Sequence, residues 1–117
     1  MDFKKLIVYQ KALDVYSDID TKVLPKIEID RSLMDQLKRA SVSIVLNIAE
    51  GTSRFSAADR KNFYVISRGS AFECVAVLDI ISRKTKNSFP EIEYALDEIS
   101  RILFKMISNL NANIVKK

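Results

Sequence analysis

Histidine is absent from this chain of 117 residues, and so is tryptophan. Without an imidazole, the commonest general base and the commonest neutral metal ligand are missing, and no serine or cysteine can join a histidine-dependent triad. Glycine occurs only as Gly51 and Gly69, and proline only as Pro25 and Pro90. Most β architectures need more turn residues than that, and two isolated glycines make neither a phosphate loop nor a dinucleotide fingerprint. The single cysteine, Cys74, cannot form an internal disulfide, so a reduced cytoplasmic setting is expected. It stands within an apolar helical pattern and reads as a small core hydrophobe. The longest apolar runs, such as VAVLDII at 75–81, fall far short of the roughly 20 residues of a membrane span. The start, MDFKKLIVYQKALD, has no apolar stretch followed by a small-residue cleavage site. The expectations from these absences are no membrane association, no cofactor, no metal and no enzymatic activity.

What is present is a helical pattern. The hydrophobic fraction is 48% and the charged fraction 29%, enough for one domain spanning 1–117 to bury a core of its own. Leu6, Tyr9, Leu13 and Tyr16 mark one stripe and Val8, Ala12, Val15, Ile19 and Val23 a second, which predicts a helix from about Leu6 to Val23 that stops at Pro25. Asp30 is the expected N-cap of a second helix over about Arg31 to Glu50, with Gly51 as a left-handed C-terminal residue. Ser56 with Asp59 at the capping-box spacing opens a third helix, roughly Ala57 to Lys84. That helix ends in RKTKN, whose cations suit the negative end of the helix dipole. Ser88-Phe89-Pro90-Glu91 opens a fourth, which runs to about Ile114 with Ile92, Leu96, Ile99, Leu103, Met106 and Leu110 facing inward. Short connections between long helices predict an all-α, antiparallel up-down-up-down four-helix bundle.

The second helix is apolar over too much of its circumference for a lone bundle. Taking about 100° per residue, Leu33, Leu37, Ala40, Ile44 and Ile48 form one stripe, and Val42, Leu46 and Ala49 form another on the far side. AFECVAVLDII at 71–81 repeats this in the third helix. A second stripe needs a partner, and another copy of the chain is the nearest candidate, so a homo-oligomer is expected.

Between the two stripes of the second helix, Gln36, Arg39, Ser43, Asn47 and Glu50 fall on one polar line. With no histidine to work beside them, they read as an internal polar seam rather than a reaction centre. Both helices of the hairpin rise equally per residue, so positions whose numbers add to about 111 stand at similar heights. That pairs Glu50 with Lys61, Asn47 with Tyr64, and Arg39 with Glu73 or Phe72. A buried ion pair of this kind fixes register more than it adds stability.

The charge is uneven. The whole chain carries +4, and residues 52–86 hold 7 basic and 3 acidic side chains, which accounts for the excess. Arg54, Lys61 and Arg68 recur every seven residues, Arg60 and Tyr64 lie beside them, and Arg83, Lys84 and Lys86 follow. Cations with an interleaved aromatic suit a phosphate backbone with occasional base stacking, so these eight residues are the candidate contacts to RNA or DNA. Loss of Arg60 and Arg68 is expected to weaken binding and leave the fold intact. A solvated basic face, or an oligomeric adaptor whose partner is another protein, is the competing reading.

Three stretches, FKKLIVYQKA, QLKRASVSIVLNIAEG and SRGSAFECVAVL, resemble the family of 23S rRNA intervening-sequence proteins. The resemblance spans essentially the whole chain. In the second helix it falls on Gln36, Leu37, Arg39, Ala40, Ser43, Ile44, Asn47, Ile48, Ala49, Glu50 and Gly51, with Val45 where the family often has proline and Tyr9 where tryptophan is common. It implies a bacterial four-helix bundle assembled as a homopentamer, with no catalytic residues to carry over. A related branch, the accessory proteins of diversity-generating retroelements, implies nucleic acid and a reverse transcriptase as partners.

Overall fold

The apolar spacing folds as four helices. The computed structural model describes residues 1–115, and no strand occurs among them. A short 3-10 turn, Asp2–Lys5, leads into α1, Ile7–Asp18, which continues as a π turn over Ile19–Val23. Then come α2, Arg31–Ser53, α3, Ala57–Thr85, and α4, Pro90–Val115. The π turn has a sequence reason. Val15, Ile19 and Val23 recur every four residues, more slowly than an α-helix turns, and the wider turn keeps both Ile19 and Val23 buried. Pro25 prevents the helix from continuing.

Both hairpins join high numbers to low ones. Ser43 meets Ser70, and Thr52 meets Tyr64, across α2 and α3. Across α3 and α4, Arg68 reaches the Ser100 carbonyl and Asp79 meets Glu93. Neighbouring helices in these hairpins are therefore antiparallel. The chain start packs beside the end of α2, where Met1, Asp2 and Phe3 share a groove with Thr52 and Ser53. The molecule measures 50 × 25 × 23 Å. Its core is one cluster drawn from all four helices, with Leu37, Ile44, Ile48, Leu78, Ile81, Leu96, Ile99 and Leu103 fully enclosed.

Two expected helix ends differ from what the sequence suggested. Helix α2 runs three residues past Glu50, and Gly51 lies inside it with ordinary helical dihedrals. The missing side chain serves packing instead. A Cβ on Gly51 would stand 2.8 Å from Tyr64 Cε1, 2.9 Å from Tyr64 Cδ1 and 3.1 Å from Phe63 Cβ. Asp30 occupies the N-cap of α2, but its carboxylate caps no amide and accepts from Lys84 Nζ at 2.7 Å. The end of α3 comes where the sequence places it. Ser56 Oγ accepts from the Asp59 amide at its start, and Lys86 closes it with φ 61°, donating its amide to the Ser82 carbonyl. A third end differs too: Phe89, only 8% exposed, takes the N-cap position of α4 immediately before Pro90, rather than Ser88 of the expected capping box, and its carbonyl accepts from the Glu93 amide.

Gly51→Ala measures the close approach of the hairpin. Overpacking in a well-filled interior costs about 1–3 kcal/mol, against a gain of up to about 1 kcal/mol in helix propensity. The expected outcome is a lower melting temperature by circular dichroism. An unchanged or raised melting temperature would show that the Tyr64 ring moves aside freely.

Candidate nucleic-acid interface

The polar line of α2 becomes a seam only at its middle. Ser43 Oγ and Ser70 Oγ share a hydrogen bond of 2.8 Å, and Asn47 Nδ2 donates to both the carbonyl and the hydroxyl of Ser43. Ser67, fully buried, donates to the Ile44 carbonyl at 2.9 Å. The ends of the line are at the surface: Gln36, Arg39, Glu50 and Glu73 are all exposed. The expected cross-hairpin partners are therefore corrected. Glu50 pairs with Arg54 on the following turn, at 3.0 Å, rather than with Lys61. No ion pair joins Arg39 to Glu73 among the described residues; Arg39 instead lines an open groove of about 440 Å³ with Lys38, Val42, Ser43, Leu46 and Asn47. Asn47 turns back on its own helix, and Tyr64 finds Thr52, hydroxyl to hydroxyl, at 2.8 Å.

The eight candidate contacts to nucleic acid separate into four kinds. Tyr64 is 4% exposed, so its ring cannot meet a base; it faces α2 because it fills the space over Gly51. Arg68 is half-buried and clamped. Its guanidinium lies over the Phe72 ring at 4.7 Å and the Phe104 ring at 5.2 Å, and its Nε donates to the Ser100 carbonyl at 3.2 Å. It ties α3 to α4, which corrects its assignment as a free phosphate contact. Three more cations have local partners yet keep exposed surface. Arg54 holds Glu50 and lies over Phe63 at 4.8 Å. Arg60 Nε donates to the Arg54 carbonyl at 2.6 Å, and Lys84 holds Asp30. Lys61, Arg83 and Lys86 make no ion pair among the described residues.

These cations stand at two ends of α3. From Arg60 to Arg83 the helix rises about 35 Å at 1.5 Å per residue. Arg54, Arg60 and Lys61 share one end with the turn that carries Lys4 and Lys5; Arg83, Lys84 and Lys86 share the other with Asp30. Within one chain they form two patches rather than one stripe. The first end also holds a residue that the sequence pattern did not single out. Phe55, in the three-residue link between α2 and α3, is 103% exposed. A signal for it does exist in the sequence: an aromatic directly after Arg54, outside both helical stripes.

The flanks are apolar and open. Leu46 is 58% exposed, above a groove of about 620 Å³ lined by Met1, Phe3, Ala49 and Thr52. On α3, Val65, Phe72 and Ile80 are each about half exposed, and Gly69 lies between them with nothing within 4 Å of where its Cβ would be. Cys74 is enclosed, and burial, with the Glu73 charge beside it, pushes its thiol up to about 12. It is a neutral packing group. Glu93 is raised above the usual carboxylate range, first by partial burial and then by Asp79, which accepts its hydrogen bond and repels its charge. No group of three or more metal-ligating side chains occurs among the described residues, and no described helix is long and apolar enough to cross a membrane.

A family model described as 23S rRNA-intervening sequence protein matches residues 4–107, nearly the whole of the bundle. No curated protein matches the chain.

The Arg68 clamp separates structure from binding. Arg68→Ala should destabilise the fold by about 1–3 kcal/mol, from the removal of two cation–π interactions and one charged hydrogen bond. Arg68→Lys should recover little of it, since an ammonium cannot lie flat between two rings. Denaturant midpoints that matched the unmodified protein would show that the clamp contributes nothing.

Proposed function

The chain belongs to the family of 23S rRNA-intervening sequence proteins, and we propose that it is a non-enzymatic, oligomeric bundle that binds RNA or DNA through phosphate contacts. The observation that carries this reading is where cations without a local partner stand. Lys61, Arg83 and Lys86 occupy the ends of α3, flanked by Arg54, Arg60 and Lys84, whose pairing leaves surface exposed. An end-on cluster of cations recognises charge and backbone shape rather than base identity.

The flank of α3 supports the assembly part of this reading. A glycine in mid-helix costs about 1 kcal/mol relative to alanine. Nothing within this chain requires Gly69, because its side-chain position is open space. Bordered by half-exposed Val65, Phe72 and Ile80, it is a flat spot where another helix can approach closely. A second copy is the occupant proposed here.

The same apolar flank supports the rival reading, an oligomeric protein–protein adaptor that does not touch nucleic acid. The two diverge in a salt titration. Binding through phosphates should weaken steeply as salt rises, and replacing Lys61, Arg83 or Lys86 with alanine should lower the slope of log affinity against log salt by about 1 per substitution. Affinity that ignores salt, or no binding near physiological salt, would leave the adaptor. Assembly is checked separately. Gly69→Arg should yield a folded monomer by light scattering, whereas an assembly of unchanged mass would move the interface elsewhere.

A further inference from the structure

The three-residue link between α2 and α3 is built to hold an aromatic ring in water. Its backbone is tied at both ends. The Arg54 amide donates to the Gly51 carbonyl at 3.2 Å, and Arg60 Nε donates to the Arg54 carbonyl at 2.6 Å. On the far side, Ser56 Oγ accepts from the Asp59 amide at 3.1 Å. Arg54 and Ser56, on either side of Phe55, are extended, with ψ of 152° and 149°. Phe55 thus projects from a short, braced link and touches nothing in its own chain. A turn of this length has no need of phenylalanine; Ser, Asn or Gly would serve.

The charge at this end is mixed, with cations in excess over Asp2, Glu50 and Asp59. Arg54 is oriented by Glu50 and by the Phe63 ring, and Arg60 and Lys61 follow near the start of α3. The chain-start turn, packed beside Ser53, adds the exposed Lys4 and Lys5. The apolar flank of α3, where a second copy would pack, begins further along at Val65.

From this arrangement we propose that Phe55 is a stacking platform for an unpaired base, so that this end of the bundle binds single-stranded RNA or DNA. The proposal rests on the nucleic-acid reading above and names its ligand class. A braced aromatic gives a base a flat apolar face with little ordering to lose, and the cations around it take the adjoining phosphates. Along a duplex no base offers such a free face, because each is already stacked on its neighbours, and only the terminal pairs expose one.

The test uses the full chain with two fluorescent probes of equal length, a mixed-sequence single strand and a blunt duplex. Phe55→Ala should lower affinity for the single strand by about 5- to 100-fold, the range of one base–aromatic stack. Affinity for the duplex and the salt slope should not change, since the phosphate contacts remain. The circular dichroism melt should be unaffected, because the ring touches nothing. Phe55→Trp should keep the affinity and supply the only tryptophan in the chain, whose emission should be quenched by the single strand. An unchanged single-strand affinity in Phe55→Ala, or an equal loss on both probes, would overturn the stacking role. So would a change in sedimentation mass without a change in binding, which would place Phe55 between copies. An unmodified protein that binds neither probe removes the nucleic-acid reading itself; one that binds only the duplex removes this inference alone.

Discussion

The closeness of α2 and α3 governs the rest of the molecule. Small residues make it possible: Ala40, Ser43 and Gly51 on one helix, Ser67, Ser70, Ala71 and Cys74 on the other. Once helices approach this far, any hydroxyl between them must find a partner, because a buried unsatisfied group costs about 1–3 kcal/mol. Here every one does. Ser67 donates to the Ile44 carbonyl, Ser43 and Ser70 meet each other, and no buried side-chain N or O among the described residues lacks a partner. Sliding one helix by a turn would strand several of these groups at once. The hydroxyls therefore set the register, while Leu37, Ile44, Ile48, Leu78 and Ile81 supply most of the burial. That fixed register leaves three residues for the link between the helices, too few to fold back on the bundle. Phe55 is outside for that reason.

The helices and their order were readable because apolar spacing reports one thing, the direction of the core. Even the height of the hairpin was readable: Ser67 meets Ile44 as equal helical rise requires. What failed were readings in which two mechanisms leave the same mark. A glycine near a helix end serves a left-handed cap or a close approach, and both want the absence of a Cβ; Gly51 proved to be the second. An aspartate before a helix caps amides or holds a distant lysine, and Asp30 holds Lys84, 54 positions away. Counting heights across the hairpin also misjudged Glu50, for which the flexible Arg54 on the next turn is nearer than a residue on the other helix.

The candidate site was less legible than the fold, for a related reason. The number of cations in a segment says nothing about which are already occupied. Arg68 carries the same charge as Arg83, yet it commits that charge to two rings and a carbonyl inside the α3–α4 seam. Tyr64 stood among arginines and lysines in sequence but faces the opposite way, onto Gly51. In both cases neighbours along the chain are not neighbours on a surface. A helix rotates each residue by about 100°, so interleaved residues usually face apart. Phe55 was illegible for the converse reason: it belongs to no periodic pattern, and only periodic residues announce which way they face.

The placement of charge and of apolar surface bears on how assembly and binding could coexist. The open apolar residues, Leu46 on α2 and Val65, Phe72 and Ile80 on α3, lie along the flanks of an elongated bundle. Among the candidate contacts, the cations without an ion pair lie at the two ends of α3, about 35 Å apart at 1.5 Å per residue. Copies joined flank to flank would leave both ends free, so neither surface would hide the other. Such an assembly would also bring equivalent ends side by side. Each chain contributes only a few cations to an end, and their attraction for a polyanion is weak singly and screened within about 10 Å at ordinary salt. Repeated around an assembly, the same few charges would become a continuous rim that acts as a unit, with gains that depend on the reach of the ligand rather than on any new interaction. On the proposed assembly the flank would have to be satisfied first, and the ends would acquire their binding role from it.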